Sequence, residues 1–239
     1  DLKKLEIKNA NSKLIVNGTL NINGSGDDKE GIKMKDGGLL ENNGTINITS
    51  DKEGLKMEHD DTSFTNNGLL DIKDTDNKGI HMKSDAPIFI NNTGKTVKIG
   101  SSAAVKNEGI KIKDDAIFDN YGIVQIINAD YTNKLKLEND AEFNNESGAV
   151  LEVSGDGTVK LMGSGVTFKC EGIFEPGGAG AIGILTISTS VDLSKATINT
   201  EVAGTNSADQ VIVNGTTTLG GTSTLNVSTI NSYQISVGD

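Results

Sequence analysis

Along most of this chain an apolar residue is followed two places on by another, with a polar residue between, and such pairs come in threes. The clearest instance is Gly54-Leu55-Lys56-Met57-Glu58, then Phe64-Thr65-Asn66-Asn67-Gly68, then Leu70-Asp71-Ile72. A two-residue period belongs to a strand that buries one face. Each pair therefore predicts one short strand, and three strands make a unit.

The unit recurs. Its first strand returns at Ile32/Met34, Leu55/Met57, Ile80/Met82, Ile110/Ile112 and Leu135/Leu137, with weaker copies at Leu5/Ile7 and Val159/Leu161, at intervals of 23 to 30 residues. The second pairs an apolar residue with an asparagine at Leu40/Asn42, Phe64/Asn66, Phe89/Asn91, Phe118/Asn120 and Phe143/Asn145. Leu14/Val16 and Phe168/Cys170 flank that series, and a glycine follows each pair within a few residues. The third runs from Leu20/Ile22 through Ile46/Ile48, Leu70/Ile72, Val97/Ile99 and Val124/Ile126 to Leu151/Val153.

Three short strands cannot bury their inner faces alone, but stacked units close a continuous core. The predicted fold is all-β, a right-handed parallel β-helix with three short strands per coil of about 25 residues; the hand follows from the preference of parallel crossovers. At about 4.8 Å per coil the rod would be on the order of 50 Å long. Residues 1–175 carry the regular coils, and residues 176–239 continue the β-helix with a changed beat.

Asn42, Asn66, Asn91, Asn120 and Asn145 occupy one place in five consecutive units, each ahead of a turn glycine. Stacked at coil spacing they predict a structural ladder, because buried amides at a bend need partners and neighbouring amides supply them. Cys170 takes the ladder place in the next coil and reads as a small buried thiol.

Composition narrows the chemistry. Acids outnumber bases, 33 to 22, the formal net charge is −11 and no arginine occurs, so phosphate-backbone binding lacks an electrostatic basis and nucleic acid is excluded as a partner. A single cysteine gives neither a disulfide framework nor zinc spacing. No stretch reads as a membrane span.

The turns are acidic, in two sets. Asp27-Asp28-Lys29-Glu30, Asp51-Lys52-Glu53 and Asp74-Thr75-Asp76 precede the first strand, while Asp36, Asp60-Asp61, Asp85, Asp114-Asp115 and Asp140 follow it. Asp74 and Asp76 are weak calcium candidates, since the set lacks the further ligands of known calcium loops, and no other cofactor is indicated. Solvated edge turns that keep the rod soluble account for the pattern more simply. Lys33, Lys56, His81, Lys111, Lys136 and Lys160 point outward in a row that would suit an anionic glycan, or else a solvated face laced with carboxylates. Two longer turns, residues 100–108 and 127–133 with Tyr131, are expected to protrude as candidate binding loops.

After Pro176 the wording changes to Glu175-Pro176-Gly177-Gly178, Gly183-Ile184-Leu185-Thr186-Ile187, Ala208-Asp209-Gln210-Val211-Ile212-Val213-Asn214-Gly215 and Leu219-Gly220-Gly221-Thr222-Ser223-Thr224-Leu225-Asn226-Val227. Residues 174–239 resemble the repeat of autotransporter passengers and related bacterial surface β-helix proteins, with Ser223-Thr224 inserted in the closing phrase. The resemblance implies export and display on the outer surface of a Gram-negative-type cell. It also implies that the motif around Ser236-Val237-Gly238-Asp239 stops short, with any anchor outside the chain.

Three functions compete. A stiff, non-catalytic shaft of a secreted surface protein, serving adhesion or display, has other surface proteins or host and environmental glycans as partners. A subunit of an extracellular fibre or surface layer would instead self-associate through its end coils. A polysaccharide-binding or polysaccharide-degrading enzyme would need paired carboxylates, or a base with cationic partners, in one groove. The acids lie in repetitive turns, tryptophan is absent, and neither His59 nor His81 has an identifiable nucleophile beside it, so the chain does not read as an enzyme.

Overall fold

In the computed structural model, which describes residues 2–24, 29–130, 132–231 and 233–234, all regular secondary structure is strand. The strands form a parallel solenoid with three long faces. The first is a nine-stranded sheet running from Leu5–Lys8 to Gln210–Val213; the second has seven strands, from Lys13–Val16 to Thr167–Cys170; the third begins at Thr19–Gly24 and reaches Thr197–Gly204.

Neighbours in each sheet come from successive coils, and equivalent residues stand side by side. Leu55 pairs with Ile32 and Ile80, Phe64 with Leu40 and Phe89, and Leu70 with Ile46 and Val97. This register keeps every inward residue on its own kind, because a slip by one would turn the apolar set outward. Ile32, Met34, Leu55, Met57, Leu70, Ile72, Ile80 and Met82 are fully buried, as the two-residue period predicts.

Phenylalanines form a second spine. Ring centroids are 4.7 Å apart from Phe64 to Phe89, 4.3 Å from Phe89 to Phe118, 5.0 Å from Phe118 to Phe143 and 6.0 Å from Phe143 to Phe168. Aromatic pairs at such separations add about 0.5–1.5 kcal/mol to the burial of each ring. Packing between neighbouring coils therefore holds the rod together.

The turns leading into the third face are tight. A Cβ on Gly68 would lie 2.0 Å from the Gly44 carbonyl oxygen, so the stacked turns admit only glycine there. The turns after the first face use the left-handed region. Asp36, Asp61, Asp85, Asp114, Asp115 and Asp140 all have φ between 54° and 61°, values that aspartate and asparagine tolerate better than most residues. Their amides carry the ladder round the corner: Asp140 N–H donates to Ser164 O at 2.9 Å, and Asp114 N–H to Glu138 O at 3.2 Å. The acidic residues after the first strand are therefore corner residues, chosen as much for backbone conformation as for charge.

One expectation is qualified. The longer turns at 100–108 and 127–133 expose Ser101, Ser102, Ala103, Lys106, Asn128 and Asp130, but each turn is anchored inward. Val105 forms parallel bridges with Thr75 and with Ala129, and all three are buried. Val105 and Ala129 thereby join the hydrophobic core, which removes their side chains from water. Tyr131 lies outside the described residues, as do Asp27, Asp28 and the run Ser236–Asp239.

Beyond Pro176 the parallel stacking continues on two faces. Ile184–Ile187 pairs with Gln210–Val213 on the first, and Thr197–Gly204 with Thr224–Thr229 on the third. The seven-stranded second sheet stops at Thr167–Cys170; Val191–Asp192 pairs instead with Thr217–Thr218 in a separate two-stranded sheet.

Candidate functional site

The asparagine column is in place. Asn42, Asn66, Asn91, Asn120 and Asn145 are completely buried, and each Nδ2 donates to the Oδ1 of the next asparagine at 2.8 Å, from Asn42 to Asn66 through to Asn145. Asn145 ends the run by donating to Cys170 Sγ at 3.5 Å. The same amides donate to turn carbonyls, Asn120 to Val150 O at 3.0 Å and Asn145 to Ile173 O at 2.9 Å. Oδ1 also receives a turn amide, that of Gly44 at Asn42 and that of Gly122 at Asn120. Every polar atom has a partner, so the column's chemistry is structural. Burial pushes the Cys170 thiol up to about 11, which leaves it an inert end to the ladder.

A second amide column, not foreseen, runs on the outside of the same bend. Asn43 donates to Asn17 Oδ1 at 3.1 Å, Asn67 to Asn43 at 2.9 Å, and Asn92 to Asn67. These bonds point toward the amino-terminal coils, opposite to the inner ladder. The doubled Asn-Asn in Asn42-Asn43, Asn66-Asn67 and Asn91-Asn92 was the signal available in the sequence.

The outward lysine row meets carboxylates. Glu58 lies 3.0 Å from Lys33, 3.2 Å from Lys56 and 3.1 Å from Lys83. Burial pushes its carboxyl up, but the hydrogen bonds of those three ammonium groups outweigh burial and hold it at about 2. Glu138 does the same between Lys111 at 3.0 Å and Lys136 at 2.6 Å. A row so neutralised offers an anionic glycan little free positive charge.

His81 replaces lysine in this row and sets Nδ1 3.2 Å from Glu53 Oε1. His59, in the corner turn, bonds Asp36 Oδ1 instead. The structure thus separates the two histidines and commits each to one carboxylate.

The calcium candidates both lie near a lysine, Lys106. Asp74 stands at the irregular end of its strand opposite Thr49, and the Asp76 carboxylate is taken by Lys106. Among the described residues, no group of three or more histidine, cysteine, aspartate or glutamate side chains comes together to hold a metal ion.

Where the beat changes, a groove of about 260 Å³ opens beside the third face, lined in part by Glu175, Asn199, Glu201, Asp209, Asn226 and Ser228. Asp209 is buried and pins its walls, accepting Gly183 N–H at Oδ1 and Glu201 N–H at Oδ2, both at 2.8 Å. Burial holds its carboxyl above the usual range. Gly177 makes the approach with φ +85°; a Cβ there would fall 2.4 Å from Asp209 Oδ1. Glu201 accepts from Gly180 N–H at 2.8 Å and Glu175 from Asn199 Nδ2 at 2.7 Å. The carboxylates are engaged in holding a loop and a hairpin, and among the described residues no histidine, lysine or cysteine lines the groove to act with them. The break in repeat wording after Pro176 marked this place, though no single motif did.

No helix of the described residues is long and apolar enough to cross a membrane, which leaves β-barrel spans unaddressed. No family model, curated protein or solved structure matches the chain.

Proposed function

We propose that this chain is a non-catalytic segment of a secreted bacterial cell-surface protein, a stiff β-helical shaft used for adhesion or surface display. The observation that carries the reading is the use of its polar groups. Buried amides bond to one another along five coils, the lysine row bonds to glutamates, and the acidic turns bond backbone to backbone. Side chains so committed build length and stiffness; among the described residues no group of three or more histidine, cysteine, aspartate or glutamate side chains gathers to hold a metal ion. Export to the outer surface of a Gram-negative-type cell rests on the passenger-like wording after Pro176 and belongs to this proposal. The test is to fuse the chain between a secretion signal and an epitope on an anchored carrier, and to measure epitope height above the cell with and without it. Added height equal to the rod supports the shaft. Unchanged height, or cleavage of any polysaccharide in an acidic and neutral panel, overturns it.

A self-assembling fibre subunit is the second reading, and it draws on the carboxy-terminal described coil. Leu219 is 61% exposed, Leu225 65% and Val227 51%, so an apolar edge stands open. At the opposite end, however, Leu2 already lies parallel to Ile22, with Asn23 N–H donating to Leu2 O at 2.7 Å. That covers the third face alone; among the described residues Leu5–Lys8 and Lys13–Val16 are the edge strands of the other two sheets.

A further inference from the structure

On the outer side of the first sheet His81 makes the same diagonal contact as two lysines, but with a different side chain. In three of the strands a basic residue in the middle reaches diagonally to a glutamate at the entry of the preceding coil: Lys56 to Glu30 at 3.6 Å, His81 to Glu53 at 3.2 Å and Lys136 to Glu108 at 4.0 Å. A lysine serves this position with a flexible stem and three donors. An imidazole is shorter and rigid, and with Nδ1 on Glu53 its other nitrogen stays inside. His81 Nε2 is buried with no hydrogen-bond partner, one of two such side-chain atoms among the described residues; the other is Glu108 Oε2.

The charges facing His81 come from three coils. Glu53 and Lys56 stand on the coil before, and Lys56 is its register neighbour. Lys78 and Lys83 belong to its own coil, where Lys78 replaces the entry glutamate and Lys83 is engaged by Glu58. Glu108 and Lys111 stand on the coil after, and Lys111 is the register neighbour there. Neutral His81 donates one hydrogen bond to Glu53 and is tolerated. Charged His81 would bury an Nε2–H without an acceptor and place a cation between two lysines of the same column, with Glu53 alone in contact to offset it.

We infer that His81 is a proton-sensitive joint in the shaft, at which acidification loosens the first-sheet pairing of Ile80–Lys83 with Leu55–Glu58 and Ile110–Lys113 while coils farther away hold. In support, burial keeps the His81 imidazole below its ordinary value; its bond to Glu53 opposes that, and Lys78 and Lys111 reinforce it. The sign follows. The unfolded chain takes up the proton more readily than the fold, so the stability contributed by neutral His81 is complete above the ordinary histidine pKa of about 6.5 and is lost as pH falls through that value toward the lower folded one.

The experiment is amide hydrogen exchange on the whole chain, corrected for intrinsic rates, at about pH 7.5 and about pH 5, on either side of the ordinary histidine range. Wild type is compared with His81→Gln and with His81→Lys, which restores the residue of the neighbouring coils; His59 is present in all three. Wild type should lose protection several-fold more than either variant, and the excess loss should be confined to peptides covering those three strands. Equal loss in His81→Gln, loss spread evenly along the rod, or an NMR titration placing His81 at or above the ordinary range would overturn the inference. Melting of His81→Lys, whose side chain fits the existing column, keeps the comparison decisive if His81→Gln folds poorly.

Discussion

Asn66 shows how much one side chain does in this fold. Its amide donates to Asn91 Oδ1 at 2.8 Å and to the carbonyls of Gly68 and Thr96 at 3.2 Å, and its oxygen accepts from Asn42. Leucine at this place matches the volume but strands the partners, and each buried group left without a bond costs about 1–3 kcal/mol. Asn66→Leu should therefore lower stability by about 2 kcal/mol or more, read as a fall in the denaturation midpoint; an unchanged midpoint would deny the ladder its structural role. Phe118 carries the apolar counterpart, stacked at 4.3 Å on Phe89 and 5.0 Å on Phe143. Phe118→Ala should cost about 3–5 kcal/mol, since the cavity opens in a fully buried place between the Phe89 and Phe143 rings. Both positions were legible in the sequence because they repeat. Asn91 and Asn145 also head Asn-x-Ser/Thr sequons, and their complete burial fits turn and ladder chemistry, not glycan attachment in the folded chain. The outer column of Asn43, Asn67 and Asn92 was harder to read, since a residue pointing out of a bend follows no two-residue period.

At the scale of a strand, the first sheet's outer side is a lattice of opposite charges. Burial pushes the Glu53 carboxyl up, yet its bonds from His81 and the backbone hold it at about 2, like Glu58. A carboxylate whose folded pKa lies below its unfolded one lends stability that is complete above the unfolded value of about 4.5 and is lost as pH falls toward 2. Acid unfolding should therefore be steep between about pH 4.5 and pH 2. Glu58→Gln should flatten that limb and lower stability at neutral pH, with three lysines left short of a partner. Denaturant midpoints across that range check it, and a limb unchanged in Glu58→Gln would contradict the lattice. The sequence showed lysines and glutamates in alternation on one face, but not which charge meets which. That depends on the diagonal offset between coils, which is set by turn length. The corner aspartates were visible as an acidic series, while their left-handed backbone was not, because conformation and solubility ask for the same residues there. The inward anchors of the longer loops, Val105 and Ala129, were hidden for a related reason: two isolated apolar residues on different coils meet only when the coils are stacked.

For the whole molecule, stability is a sum over nearest-neighbour coils. It needs no bound ion in this account, and calcium was the candidate that the aspartates suggested. A chelator should leave the melting temperature unchanged and added calcium should not raise it; a rise of several degrees would return Asp74 and Asp76 to consideration. The groove near Glu175 and Glu201 sits where the repeat gives way, the one stretch whose wording is unlike the rest, and its shape follows from Gly177 and Asp209, not from periodicity. Repetition made the fold readable to the level of single rungs. A site grafted onto a repeat is readable only as a departure from it, and a departure names a place without naming a ligand.

The most direct test of the shaft is small-angle X-ray scattering of the purified chain over a wide concentration range. A shaft of stacked coils should scatter as an elongated particle of constant cross-section whose length is independent of concentration and unchanged in the presence of a chelator. A compact particle would contradict the stacked solenoid, and length that grows with concentration would replace the shaft with a self-assembling fibre.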